Sequence, residues 1–372
     1  MWLLHVRLPV EHPDRAAHSY GERRPDPPQG ARRVKKRDPD LLLFHAPLLR
    51  QGMTTPNAMR DVLYALAPAT AASLWFFGIS AALVLGTCIA GAVLAEWLFA
   101  GDETRGESLR DASGILTGLL LGLTLPPGLP LWMAFLGGFV GIALGKVIWG
   151  GLGHNLFNPA LLGRAFLLAT FPIAMTTWVP VTGDGGFFSI YPGNLALPFM
   201  QAQIDGITSA TPLGMMKFEQ IVTPLSDLAF GNVSGSLGET SGLLLLLGGV
   251  YLWLRRDLDW RMPVSILLTV LVFSFCLGLF DAARFPAPLF SVFSGGLLLG
   301  AIYMATDPVT SPVTPRGAWI FGIGVGVLVM LIRVFGGLPE GVMYAILLMN
   351  AATPLIDRYT QPRVFGRGAE SK

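Results

Sequence analysis

Charge is scarce in this chain. Only 13% of its 372 residues are Asp, Glu, Lys or Arg, against roughly a quarter in a soluble domain, while 52% are hydrophobic. With a mean hydropathy of +0.56, there is too little polar surface to cover a soluble fold of this length, which excludes a soluble enzyme. Cysteine is scarce too: Cys88 and Cys276 each stand alone in an apolar run. That excludes a paired-cysteine metal site and a disulfide framework, and both are expected to be small buried hydrophobes. Four of the five histidines lie in the N-terminal tail, which leaves His154, in a Gly-rich turn, as the only one near the apolar segments. There is neither a dinucleotide glycine fingerprint nor a cysteine cluster, so nothing in this chain reads as a site for NAD or an iron–sulfur centre.

What is present is apolar length, interrupted by 45 glycines and 28 prolines. Transmembrane helices tolerate both residues where neighbouring helices satisfy the freed backbone groups, so broken helices are expected. Residues 1–60 carry eleven Lys and Arg against six Asp and Glu, including Arg32, Arg33, Lys35, Lys36 and Arg37. They read as a basic cytoplasmic tail and a topology signal, not a nucleic-acid site. The early apolar stretch Trp2 to Val10 is broken by His5, Arg7 and Pro9 and does not read as a signal peptide.

Ten nearly uncharged windows follow, each compatible with a crossing of the hydrocarbon core: 61–79, 80–100, 112–127, 130–148, 159–178, 241–254, 263–280, 289–305, 317–335 and 340–356. The sequence therefore predicts an all-α integral membrane protein of about ten helices over 61–356, with a short cytoplasmic tail at 357–372. Threading ten spans puts the basic groups, Lys146, Arg255 and Arg256 among them, on one side, which would be the cytoplasm, with both termini there. Residues 179–240 hold Lys217 as their only basic residue against five acidic ones. They are expected to form the one large extracytoplasmic segment.

A weak repeat relates TGLLLGLTLPP at 117–127 to SGGLLLGAIYMATDP at 294–308. Trp132 precedes Lys146, and Trp319 precedes Arg333, by the same 14 residues, and each cation is followed by a glycine pair. Five helices per copy would place the copies in opposite orientations, an inverted 5+5 plan. Chance recurrence in Gly- and Leu-rich helices is the alternative.

Three polar clusters interrupt the apolar background. In GGLGHNLFNPALLGRAF, Asn155, Asn158 and Arg164 surround a helix start, with Asn158 as N-cap and Pro159 at the first helical position. Its carboxamides suit either capping or contact with a polar heterocycle. In YMATDPVTSP, Asp307 at the membrane edge is a candidate for ion handling or for a local cap. Glu340 is a similar candidate, expected closer to water. In DGITSATPLG, Thr211 before Pro212 reads most economically as a helix N-cap.

Together, GHNLFNPALLGRAF, DGITSATPL, MATDPVTSP and LPEGVMYAILLMNAATPLID resemble the family shared by the D-type membrane component of the Rnf ion-translocating oxidoreductase and the B-type component of the sodium-pumping NADH:quinone oxidoreductase. The resemblance covers about residues 46–358. It implies covalent FMN on Thr211 through a phosphoester, installed by a flavin transferase outside the cytoplasmic membrane, with Ser209 standing where the family commonly has glycine. Asp205, Thr208 and Ser209 would then serve the transferase or the phosphate. A second, noncovalent riboflavin is also implied, with Asn155 and Asn158 as contacts. The resemblance further implies a bacterial inner-membrane location and iron–sulfur and flavin partner subunits. These would pass electrons between carriers such as NADH and ferredoxin and drive Na⁺ or H⁺ movement, in a complex of which this chain is one component, not active alone. Its length favours the Rnf branch. Read from the repeat and the helix breaks by themselves, a non-redox secondary transporter or channel, or a plain membrane anchor, is the alternative.

Overall fold

The longest helix shows how the chain handles its glycines. In the computed structural model, which describes residues 54–100, 111–181, 187–188, 190–198, 210–281, 285–337 and 339–362, α1 runs from Thr55 to Phe99 with a kink at Gly78 (φ 61°, ψ −145°). Positive φ strains any residue with a Cβ, so glycine is what lets two expected spans share one element. The kink leaves the Ile79 N–H without a helical acceptor, and the carbonyl of Phe187 takes it at 3.0 Å. Asn194 pins the segment that follows Phe187 by donating to the carbonyls of Pro127 and Leu129, at 2.9 Å each.

The rest of the first half is short helices. α2 (Ser113–Leu123) is followed by α3 (Leu131–Ile142), which runs into a π-helical turn at Ala143–Val147, and then by α4 (Pro159–Thr170) and α5 (Pro172–Thr176). α1 packs closely on α3 because Gly138 has no side chain: a Cβ there would strike the carbonyl of Cys88. Between the halves lie α6 (Pro212–Gly214), running into a π-helical turn at Met215–Glu219, α7 (Leu225–Phe230) and a 3₁₀ turn at Leu237–Glu239. The second half comprises α8 (Gly242–Arg255), α9 (Arg261–Phe280), α10 (Pro288–Phe293), α11 (Leu297–Leu299) with a π-helical turn at Gly300–Met304, α12 (Pro315–Phe335) and α13 (Val342–Thr360).

Among the described residues there is no strand, and three helices are long and apolar enough to cross a membrane: α1, α9 and α12. Each of the ten apolar windows contains helix, but several hold it in short or broken pieces. The first helix begins at Thr55, six residues before the expected edge of the membrane domain. One contiguous apolar core joins the halves, from Leu66 and Leu85 of α1 to Phe321 and Val325 of α12 and Ile346 of α13.

Packing corrects two expectations, for Cys276 and Glu340. Cys88 is fully buried and donates its thiol to the Ala134 carbonyl at 3.3 Å, but Cys276 is exposed. It lies on the apolar outer face of α9 with Val272, Phe275 and Leu279, a surface suited to lipid. Lys146, counted above among the basic groups of one side, is buried, ion-paired with Glu96 and hydrogen-bonded to the Ser113 hydroxyl at 2.6 Å. Glu340 does not face water either, being ion-paired with Arg164 at 2.5 Å with both side chains largely buried.

Candidate functional site

The site is built around the helix starts that the prolines mark. Asn158 caps α4, its Oδ1 accepting from the N–H groups of Ala160 (3.0 Å) and Leu161 (3.3 Å). Its Nδ2 donates to the carbonyl of Met304 at 3.1 Å, tying the start of α4 to the π-helical turn of the second half. The carboxamide is thus engaged by the fold, whereas the Oδ1 of buried Asn155 has no partner among the described residues.

Thr211 caps α6. Its backbone is extended (φ −68°, ψ 156°), as Pro212 requires of the residue before it, and its hydroxyl oxygen accepts from the Gly214 N–H at 3.1 Å. The residue is only 4% exposed. It lies in the wall of a cavity of about 590 Å³, within the usual range for small-molecule sites. Asp205, Thr208 and Ser209 fall outside the described residues.

The cavity runs between the halves. Arg164 and Leu168 of α4, Trp178, Thr211, Gly296 and Glu340 line it, with Phe218 and Met304 from two of the π-helical turns. Such turns are frequent at functional sites because they unwind the backbone locally. At its floor Glu340 Oε2 holds Arg164, while Glu340 Oε1 has no hydrogen-bond partner among the described residues. Behind it sit two residues that the motifs did not single out as site residues, Glu239 and Arg333. Glu239 is 8% exposed, with Oε1 unpartnered among the described residues. Arg333 is buried and donates Nη1 to the Ser291 carbonyl (2.5 Å) and Nη2 to that of Ser294 (3.0 Å), leaving Nε unpartnered. Glu239 feels the charges of Glu340 and Arg164, and Arg333 those of both carboxylates.

Lys217 closes the outer side of this group. Its Nζ donates to the carbonyls of Arg333, at 2.8 Å, and Gly336, and burial lowers its ammonium below the usual lysine range. Arg333 carried one advance signal, its place 14 residues after Trp319 in the repeat. Glu239 carried none beyond being an acid in an apolar neighbourhood.

Asp307 stands apart from the cavity. Its Oδ1 accepts from the Val309 N–H at 3.2 Å, a local cap of the turn that follows the broken helix. Thr353 of α13 holds the same turn through the Thr310 carbonyl at 3.0 Å. His154, in its glycine turn, is exposed. Among the described residues no group of three or more His, Cys, Asp or Glu is placed to hold a metal ion.

Comparison with known proteins adds the remaining observations. Residues 43–366 match the model of the NQR2, RnfD, RnfE family. The chain is 44% identical over 336 residues to the D component of the ion-translocating oxidoreductase complex of Stutzerimonas stutzeri, covering 84% of this chain and 93% of that protein. It is 40% identical over 331 residues to the D component of the proton-translocating ferredoxin:NAD(+) oxidoreductase complex of Clostridium ljungdahlii, covering 86% and 95%. It is 37% identical over 333 residues to the Na(+)-translocating counterpart of Acetobacterium woodii, covering 88% and 96%.

Proposed function

Because the chain belongs to the NQR2, RnfD, RnfE family, we propose that it is the D-type membrane component of an ion-translocating oxidoreductase complex and carries a flavin on Thr211. Its relatives, named as D components of such complexes, support the complex and the branch. They are named for different ions, H⁺ and Na⁺, so the ion is left open.

The observation that carries the flavin reading is the placement of the Thr211 hydroxyl in the wall of a cavity large enough for a ring system and lined by unpartnered polar atoms. The hydroxyl acts toward Gly214 as an acceptor, so its own proton is not committed to the cap. Its oxygen would therefore be free to form the phosphoester with the FMN phosphoryl group of FAD, with AMP as the leaving group and the hydroxyl proton passing to the transferase, and the ester oxygen would stay able to accept from Gly214. When bound, the flavin supplies one- and two-electron chemistry. The protein positions it, excludes water with Trp178, Leu168 and Phe218, and sets its electrostatic surroundings with Arg164 and Glu340. Asp205, Thr208 and Ser209 would serve the extracytoplasmic transferase, and Asn155, with its free Oδ1, is the better placed of the two asparagines to contact a noncovalent riboflavin.

The same reading has ten spans in an inverted 5+5 arrangement, a bacterial inner-membrane location, cytoplasmic termini and surrounding lipid. Partners are the other membrane, flavin and iron–sulfur subunits. Asp307, beside a broken helix, and Glu340, at the cavity floor, are its candidates for ion coupling. In-gel fluorescence of the denatured chain and mass spectrometry of the peptide containing Thr211 test the core of it. An FMN-sized adduct there, absent in Thr211→Ala, is expected; the adduct persisting in Thr211→Ala would refute the attachment site.

A further inference from the structure

At the floor of the cavity and just behind it, buried polar atoms stand without hydrogen-bond partners among the described residues. Glu239 and Glu340 each keep one carboxylate oxygen free of any hydrogen bond among the described residues. The charged groups packed around them are Arg164 of α4 and Arg333 of α12, with Ser236 beside Glu239. Further out, Lys217 is committed to backbone carbonyls and Glu219 lines the cavity wall. Two donors of the same group, Ser236 Oγ and Arg333 Nε, are also without partners among the described residues. A buried polar atom left without a partner is destabilising, and acceptors and donors gathered in one group match a ligand that brings both N–H groups and carbonyl oxygens.

Glycine opens the route. Gly296 lines the cavity, and a Cβ placed on it would stand 3.4 Å from Glu239 Oε1, its only close neighbour. The missing side chain therefore leaves the Glu239 carboxylate within reach of a ligand.

We propose that Glu239, reached past Gly296, accepts a hydrogen bond from a ring N–H of a neutral imide-type heterocycle held in the cavity, while Glu340 accepts from a second N–H or hydroxyl of the same ligand. This rests on the flavin reading, because a flavin ring is such a heterocycle and gains N–H groups on reduction. Glu239 is thereby a positioning residue that also sets the potential. Burial holds the Glu239 carboxyl up at about 8, so at pH 9 its negative charge opposes the addition of electrons to the ring, and Glu239→Gln, which keeps an acceptor oxygen but removes the charge, shifts the midpoint potential measured at that pH upward. Gly296→Ala adds one methyl against Glu239 Oε1 without backbone strain (φ −71°) and displaces the donor from it.

The experiment is a potentiometric titration at pH 9 and a visible absorption spectrum of the full-length protein, purified with its covalent flavin, in the unsubstituted, Glu239→Gln and Gly296→Ala forms. Flavin on the Thr211 peptide is quantified in each by mass spectrometry. The expected result is undiminished attachment, a raised potential in Glu239→Gln and a shifted absorption band in Gly296→Ala. Attachment intact with potential and spectrum unchanged in both variants overturns the proposal and leaves Thr211 as the attachment site. No flavin on Thr211 in the unsubstituted protein overturns both.

Discussion

Two buried cations, each 14 residues beyond a tryptophan, end up in opposite circumstances. Lys146 in the first half is closed: Glu96 and the Ser113 hydroxyl take its ammonium at the start of α2, and Lys146 leaves no unpartnered nitrogen. Arg333 in the second half makes the equivalent contact with the start of its own broken helix, through Ser291 and Ser294. Its Nε is left over, with unpartnered oxygens on Glu239 and Glu340 nearby. A polar group that is fully satisfied in an apolar core specifies structure, whereas one that is only partly satisfied costs stability unless something else binds there. The two buried cations thus serve differently, one holding the fold and the other bordering a site.

The sharpest way to break this contrast is to remove an anion from the closed side. Glu96→Leu leaves the Lys146 ammonium with the Ser113 hydroxyl as its described partner, and loss of one member of a buried pair typically costs about 3–5 kcal/mol. Thermal unfolding in detergent is expected to show that loss, with recovery in the double variant Glu96→Leu/Lys146→Met. A single variant as stable as the parent would show that the pair is not structural.

On the open side the expected cost is smaller. Arg164→Leu removes a charge-assisted hydrogen bond from a carboxylate that borders a cavity, for which about 1.5–3 kcal/mol is typical. A loss as large as that of Glu96→Leu would mean that the cavity side is as closed as the other. Thr211→Ala comes next: it removes an N-cap, at about 1 kcal/mol, and should abolish covalent flavin. Thr211→Ser keeps the cap, so comparing flavin content and melting temperature across the two separates the structural contribution of the hydroxyl from its chemical one.

The smallest effect lies outside the spans, between α8 and α9. Burial, followed by the neighbouring Asp61, raises Asp257 from 3.8 to about 6. A raised carboxyl favours the protonated form in the fold, so its contribution is greatest below pH 3.8 and is lost as pH rises through about 6. Asp257→Asn should flatten the pH dependence of the melting temperature in that window. An unchanged slope would show that the solvated side of the group dominates.

Much of the local structure is legible in the sequence. Asn158–Pro159 and Thr211–Pro212 mark real helix starts because a cap and the groups it serves lie within three residues, so the pattern that makes the bond is contiguous in sequence. The breaks after residues 123 and 293 are visible as Gly- and Pro-rich interruptions of apolar runs. The site is legible only where a motif covers it, at Thr211, Arg164 and Glu340. Asn158 reads correctly as a cap, but its bond to Met304, 146 residues away, is not foreseeable.

Composition and periodicity by themselves determined that this is a helical membrane protein with interrupted helices, and four motifs determined its family. Those conclusions rest on the average preference of apolar side chains for lipid and on hydrogen bonds between near neighbours. Only the tertiary structure decided which charges are buried and with whom: Lys146 with Glu96, Arg164 with Glu340, and Arg333 beside Glu239. The physical reason is that the energy of a buried charge depends on what stands within a few ångströms of it. In this chain those neighbours come from segments 50 to 176 residues away.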